Sequence, residues 1–338
     1  MTNRERMRAI LEGRKPDRVP VMFFSELLPR GQFEREIRNR GVGLIVHTSS
    51  VIQQRPGIEM VITEKDGIRS ETIHTPFGDL TARYVMGKNN IASSGTVQTE
   101  YFVKSESDYE AAIWLLDQTI FTLNPSVYYQ DDMLLGDEGI THVWTDEPPY
   151  MGLQYLMGYV NWCLHQHDYP ESFQALLDAY ERMQMRRMDV LVSAPEKDLI
   201  NIGNLSGNFS PDKYERYMKP YFDKVAERLR KAGKSVTIHA DAINLKEYAK
   251  LIPGPWVNVI EAFTPPPVGN LTLQEARKMW GEGTIIWINF PETVFYSGYE
   301  ETYRYTVELL RSDPCPNKYI SFTEIGLLGV DCEKFPIF

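Results

Sequence analysis

The chain has 338 residues, 43% of them hydrophobic and 24% charged, with 46 Asp plus Glu against 36 Lys plus Arg and a formal net charge of −10. That composition excludes a disordered or fibrous chain, and the acidic balance provides no basic footprint for nucleic-acid phosphates or an anionic membrane surface. The three cysteines, Cys163, Cys315 and Cys332, form no CxxC pair, which excludes a disulfide framework and fits a reducing, cytoplasmic setting.

Thr2 and Glu5 have capping-box spacing ahead of Met7, Ile10 and Leu11, and Gly13 is placed to stop the segment, so a first helix is expected there. The N-terminus lacks the apolar core of a signal peptide, and no apolar run reaches the roughly 18–20 residues of a membrane span. Short apolar runs at Val19–Phe24 and Gly43–His47 carry the signature of buried strands. Between Ile58 and Met86 the pattern switches to alternation, with turns at Asp66-Gly67 and Phe77-Gly78-Asp79. This reads as an antiparallel hairpin or small sheet inserted near residues 58–91.

Six further apolar runs follow, at His142–Trp144, Leu199–Ile202, Val236–His239, Val257–Glu261, Thr284–Ile288 and Tyr319–Phe322. Helical patterns separate them, at Tyr155–His165, Ser172–Val192, Pro211–Lys231, Leu245–Leu251, Thr272–Trp280 and Tyr299–Leu310. Strand–helix alternation with eight strands predicts an α/β fold, a closed (β/α)8 TIM barrel, as a single domain over residues 1–338 with the hairpin inserted. Thr264-Pro265-Pro266-Pro267 is too short for a linker and reads as a rigid strand-to-helix loop.

Active sites of such barrels lie at the C-terminal ends of the strands, so polar residues that terminate apolar runs are the informative ones. Glu26, His47, Asp146, Glu147, Asn204, His239, Asp241, Glu261, Asn289 and Glu324 all hold such positions. His239 and Asp241 are two apart, which puts both side chains on one side of an extended chain. With Glu261 and Glu324 they would give one imidazole and three carboxylates on one rim, a donor set suited to a cation such as Zn2+. Tyr150 and Met151, which follow a strand end, and Phe290, which follows Asn289, are candidates to line a pocket; Asn204 and Asn289 are candidates to orient substrate. The remaining histidines carry blander readings. His47 reads as structural, His165 and His167 as surface or helix-end groups, and His74 and His142 have no ligand at metal-binding spacing. Cys163 reads as core and Cys315 as a loop thiol. No GxGxxG, GxxxxGK[ST] or GxSxG motif is present.

The opening NRERMRAILEGRKPDRVPV resembles the start of the uroporphyrinogen decarboxylase superfamily, especially its corrinoid-dependent methyltransferase branch, which includes O-demethylase methyltransferases. The likeness continues through TPFGDL, EPPYMGLQYLMG, PDKYERYMKPYFDKVAERLRKAGKSVTIHADA, PPPVGNLTLQEARKMWG, IIWINFPET and NKYISFTEIG. The resemblance implies a (β/α)8 barrel, in agreement with the strand count. The decarboxylase places an arginine-rich RQAGR-type signature after the first strand; here that stretch is Phe23-Phe24-Ser25-Glu26-Leu27-Leu28, which disfavours porphyrinogen decarboxylation. Methyltransferases for thiol acceptors hold zinc with a His-x-Cys pair and a cysteine after the last strand. Here the pair is His239-Ala240-Asp241 and the last position falls on Glu324, while Glu261 stands where the superfamily can supply a carboxylate.

Replacing thiolates by carboxylates leaves zinc harder and more Lewis acidic, which suits an oxygen substrate. The resemblance therefore implies a zinc-dependent methyltransferase that demethylates an O-methyl substrate, an aryl methyl ether, and passes the methyl group to the cob(I)alamin of a partner corrinoid protein. Three carboxylates around one Zn2+ carry excess negative charge, so His239, Glu261 and Glu324 are the first choice of ligands and Asp241 is expected to orient His239. The competing readings are methyl transfer from a methylated corrinoid to a thiol or pterin, and a binding barrel without chemistry.

Overall fold

A computed structural model describes residues 1–28, 30–86, 96–205, 210–252 and 254–322. The chain divides into two compact units. The first comprises Met1–Ser50, Pro125–Thr145 and the chain from Ala194 onward; the second comprises Val51–Asn124 and Asp146–Ser193.

In chain order the strands are β1 (Val21–Phe24), β2 (Gly43–His47), β3 (Val51–Gln54), β4 (Met60–Lys65), β5 (Ile68–Thr75), β6 (Gly78–Met86), β7 (Thr96–Glu100), β8 (Ile120–Leu123), β9 (Gly139–Trp144), β10 (Leu199–Asn204), β11 (Val236–His239), β12 (Val259–Phe263), β13 (Ile285–Asn289) and β14 (Lys318–Phe322). In the first unit β1, β2 and β9 to β14 close into a barrel in which every neighbouring pair is parallel. With helices between its strands, this is the (β/α)8 TIM barrel that the apolar runs predict. Each of the eight runs supplies one barrel strand.

The barrel has a dry end and a polar end. Because strand side chains alternate, Ile140, His142 and Trp144 share one face of β9, Leu199 and Asn201 one face of β10, and Val259 and Glu261 one face of β12. The earlier member of each set lies in an apolar cluster with Met22, Ile45 and Ile285, and the later ones carry polar atoms toward the strands' C-terminal ends. The helix Asn3–Leu11 starts from the expected capping box, with Thr2 Oγ1 accepting from the Glu5 amide and Glu5 Oε2 from the Thr2 amide. Its Met7 and Ile10 join the apolar cluster, and Arg4 Nε donates to the Gly139 carbonyl at the start of β9, so this helix covers the dry end. Gly139 permits a close approach there: a Cβ would stand 1.7 Å from the Leu44 carbonyl oxygen.

The second unit contains the antiparallel sheet β4-β5-β6-β7 and the two-stranded pair β3-β8. The alternating stretch expected near residues 58–91 is thus part of a four-stranded sheet; its residues 87–91 lie outside the described residues. The helices Pro149–Asp168 and Pro170–Ser193 belong to the same unit and pack on one another. Gly158, at φ 76°, interrupts the first of them where a Cβ would stand 2.6 Å from the Tyr101 ring. Two residues of this helix differ from expectation. Cys163 is exposed, not core, and His165 is buried beside Tyr109, whose hydroxyl lies 3.0 Å from its Nδ1.

Two helices of the first unit also depart from their sequence pattern. Pro220 cannot donate to a carbonyl four residues back, and Tyr214–Met218 ahead of it winds as a wider π turn before the regular helix Lys219–Lys231. The expected helix Leu245–Leu251 is a single 3-10 turn at Leu245–Glu247; the proline at 253 disfavours helical geometry in the residue before it. Among the described residues no helix is long and apolar enough to cross a membrane.

Two outcomes follow. Gly139→Ala is expected to lower stability by about 1–3 kcal/mol or more in denaturant unfolding, because strand backbone and not a flexible side chain must move. Burial lowers the pKa of His165, opposed by Asp168 and Asp108. The unfolded chain then binds a proton that the folded one refuses. This contribution to stability is present above the unfolded value of about 6.5 and diminishes as pH falls below it, a slope that His165→Phe should reduce in pH-dependent melting.

Candidate functional site

Glu261 has no solvent exposure and takes side chains from three strands besides its own. Its Oε2 accepts from His142 Nε2 of β9 at 3.2 Å, Asn201 Nδ2 of β10 at 2.7 Å and Thr237 Oγ1 of β11 at 2.7 Å. Its Oε1 lies 3.2 Å from Nδ1 of His239, the residue opposite it on β11. Burial alone would raise this carboxyl's pKa, but the hydrogen bonds from His142 and His239 and the charge of His239 outweigh it and hold Glu261 well below the usual range.

The backbone is shaped around this carboxylate. Immediately after it Ala262 adopts φ 54°, a left-handed conformation costly for a residue with a Cβ, and the register of β12 with β13 shifts between Ile260 and Phe263. On β10 a second shift between Asn201 and Asn204 includes Gly203 at φ 133°, whose amide donates to Asn201 Oδ1 at 2.7 Å. That bond turns the Asn201 amide nitrogen toward Glu261.

His142 and His239 are held in opposite states. Burial lowers the pKa of His142 despite the opposing pull of Glu261. Since the carboxylate can only accept, Nε2 carries the proton and the lone pair is on Nδ1, which finds no partner among the described residues. For His239 burial again pulls downward, but Asp241 and Glu261 prevail and push it up to about 10. Its Nε2 lies 3.5 Å from Asp241 Oδ2, so the ring stands between two carboxylates, one deep in the barrel and one at its mouth.

Of the residues predicted for a metal, the structure therefore brings His239, Asp241 and Glu261 together; Glu324 lies outside the described residues. Among the described residues no group of three or more His, Cys, Asp or Glu side chains is arranged to hold a metal ion. A pair does have suitable spacing. Two ligands at about 2.0–2.2 Å from a tetrahedral zinc stand about 3.3–3.5 Å apart, the separation of His239 Nε2 and Asp241 Oδ2. Glu261 faces the other nitrogen of the ring.

The residues predicted to bind substrate are placed differently. Asn204 pairs in register with His239 and is half-buried at the end of β10. Asn289 is buried, its Nδ2 donating to Thr264 Oγ1 at 3.0 Å, and Phe290 is buried against Phe295 and Tyr305. Tyr150 and Met151 belong to the second unit and are buried within it; the Tyr150 hydroxyl donates to Gln166 Oε1 and its ring packs on Trp162.

Sequence reasoning passed over His142, Asn201, Thr237 and Trp144. Trp144 is 37% exposed, its ring 4.9 Å from that of His239 and 6.4 Å from that of His47. His47 Nδ1 is in close contact with Glu26 Oε1, and its ring lies 4.9 Å from that of His142. The available signal was polar residues inside otherwise apolar strands, GITHVW and LINIGN, two residues on from buried aliphatic ones.

No family model matches the chain, and no curated protein matches it in sequence. Among solved structures the chain is similar to a methyltransferase from Methanosarcina mazei, with 11% sequence identity, a TM-score of 0.55, and coverage of 99% of this chain and 96% of that one. At this identity the likeness is one of fold.

Removing the central acceptor is expected to be costly. Glu261→Ala leaves four donors around a cavity and should lower stability by about 3–5 kcal/mol in denaturant unfolding. Glu261→Gln keeps the volume and one acceptor and should recover part of that loss.

Proposed function

We propose that the first unit is the catalytic barrel of a zinc-dependent methyltransferase that removes the methyl group of an aryl methyl ether and delivers it to the cob(I)alamin of a partner corrinoid protein. The observation that carries this reading is His239, fixed by a buried carboxylate on one nitrogen and facing a second carboxylate with the other, at the C-terminal mouth of a (β/α)8 barrel. The fold likeness to a methyltransferase and the sequence resemblance to the corrinoid-dependent branch support the same assignment.

In this reading His239 and Asp241 hold the metal together with Glu324. Glu261 takes the part first expected of Asp241: it receives the Nδ1–H of His239 and so fixes the ring's tautomer and direction, a usual partner for a metal-bound histidine. Zinc bound there would supply Lewis acidity to an ether oxygen, whose carbon–oxygen bond otherwise breaks to leave an unstabilised phenolate. His142, Asn201 and Thr237 keep the Glu261 carboxylate ionised and stationary. The donor set has nitrogen and oxygen atoms and no thiolate, which favours an oxygen substrate over a thiol acceptor. The product pair is a phenol, once the phenolate takes a proton, and methylcob(III)alamin.

The test is zinc content followed by a single-turnover spectrum. Wild-type protein is expected to retain about one zinc, and His239→Ala, Asp241→Ala and Glu324→Ala each to lose most of it. Mixed with a corrinoid protein in the cob(I)alamin state and a methoxyarene, the zinc-loaded protein should convert the cob(I)alamin spectrum to that of methylcob(III)alamin. Unchanged zinc in all three variants would refute the ligand set, and no donor-dependent spectral change would refute the reaction.

A further inference from the structure

The four-stranded sheet of the second unit has an open edge. β4 pairs with β5 on one side, and among the described residues no strand pairs with its other side. All of its residues are exposed, Met60 at 38%, Val61 at 40% and Ile62 at 48%. Met60 and Ile62 share a face with Ile73, Leu80 and Ala82, which are buried on β5 and β6, so the apolar face runs past the covered part of the sheet and ends at this strand. The turn after β4 sets which backbone groups are free. Asp66 and Gly67, at φ 53° and 75°, lead Lys65 into Ile68 as a two-residue primed turn. The pair that brackets such a turn exchanges hydrogen bonds, and the pairs alternate from there. Lys65, Thr63 and Val61 therefore bond to β5, whereas Glu64, Ile62 and Met60 direct their N–H and C=O groups outward.

An edge of this kind is ordinarily blunted by a proline, a central charge or a bulge. β4 has none of these. Met60-Val61-Ile62-Thr63 is uncharged, and charge stands at the two ends, with Glu59 before it and Glu64 and Lys65 after it. Neither Glu59 nor Lys65 has an ion-pair partner among the described residues. The opposite edge of the sheet differs: the register of β6 with β7 shifts between Arg83 and Tyr84, and Glu100 of β7 is engaged by Arg83 at 3.0 Å.

We propose that β4 is the docking edge for a second copy of this chain: two copies join β4 to β4, antiparallel about a two-fold axis at Ile62, and make one continuous sheet of their two. In that register Ile62 faces its own copy and Met60 faces Glu64, and all of these are residues whose backbone groups point outward and can exchange hydrogen bonds. Val61 faces Thr63 and Glu59 faces Lys65, in the intervening pairs, where side chains stand closer. Symmetry repeats the β-branched pair and the pair of opposite charges on the other side of the axis. A slip of one residue in the pairing would set outward groups against inward ones. Centring on Thr63 would put Lys65 opposite Val61 and Ile62 opposite Glu64, and centring on Val61 would put Lys65 opposite Gly57. Charge complementarity thus selects both the occupant and the register. Each copy spends the same edge, so the assembly closes at a dimer. The dimer is independent of the reaction proposed for the barrel.

The experiment is sedimentation velocity on the full chain over about 1–100 μM, since one added strand buries less than a standard interface and the dimer is expected in the micromolar range. Wild type should pass from monomer to dimer across that range. Ile62→Pro removes an N–H that points away from β5, so it should abolish the dimer and leave the sheet of each copy paired. Glu59→Lys and Lys65→Glu each set like charges opposite one another at both symmetry-related pairs and should raise the dissociation constant about tenfold. The double variant restores opposite charges and should return to the wild-type constant. A monomer at every concentration, a dimer that survives Ile62→Pro, or a double variant that dimerises no more tightly than the single ones would overturn the assignment. Should Ile62→Pro fail to fold, the charge series decides alone, because its substitutions lie at the exposed ends of the strand.

Discussion

The structure of the first unit turns on one carboxylate placed where a barrel would ordinarily put an aliphatic side chain. Glu261 has no exposure, and an unpaired ion in such a position would cost several kcal/mol. Four donors answer that cost, and because they come from β9, β10 and β11, the carboxylate constrains the register and rotation of four adjacent strands at once. A strained residue, Ala262, follows it directly. A non-glycine residue at positive φ costs about 1–3 kcal/mol and persists only where the surroundings demand it.

That arrangement needs a stiff support, which the opposite end of the barrel provides. Met22, Ile45, Ile140, Leu199, Val259 and Ile285 fill the interior below the polar residues, and Met7 and Ile10 of the first helix join them. Close-packed aliphatic side chains transmit small displacements and do not absorb them, so the positions of His142 and Glu261 are set by the same strands that hold Ile140 and Val259 two residues earlier. The division of labour runs along each strand: the first inward residue packs and the second carries chemistry.

This period of two explains what could be read in the sequence. Parallel strands buried on both faces appear as unbroken apolar runs, and the eight runs are the eight barrel strands. His239, Asp241 and Glu261 were legible because they end such runs. His142 was not, because its partner is 119 positions away and nothing local marks a histidine in GITHVW as different from a structural one. The rim assigned to Tyr150, Met151 and Phe290 followed from their places after strand ends. Proximity to a strand end does not determine where an aromatic side chain points, and these three are buried among Trp162, Phe295 and their neighbours. Trp144, inside a strand and on the His142 face, is an aromatic residue whose ring meets those of both His142 and His239.

The same geometry gives the two carboxylates that face His239 different surroundings. Had His239 only been required to neutralise Glu261, a single contact through Nδ1 would have sufficed and Nε2 could have ended against apolar side chains. Instead Nε2 points toward Asp241, which is 41% exposed, at the spacing of two ligands on a tetrahedral centre. The two carboxylates differ in what they can give up. Glu261 Oε2 is committed to three donors, so removing that residue from its place would dismantle the barrel's polar layer, whereas Asp241 follows β11 and faces solvent. A fixed inner carboxylate that aims the imidazole and a solvent-facing outer one that approaches its other nitrogen are different physical tasks, and the chain assigns them to the buried and the exposed acid respectively.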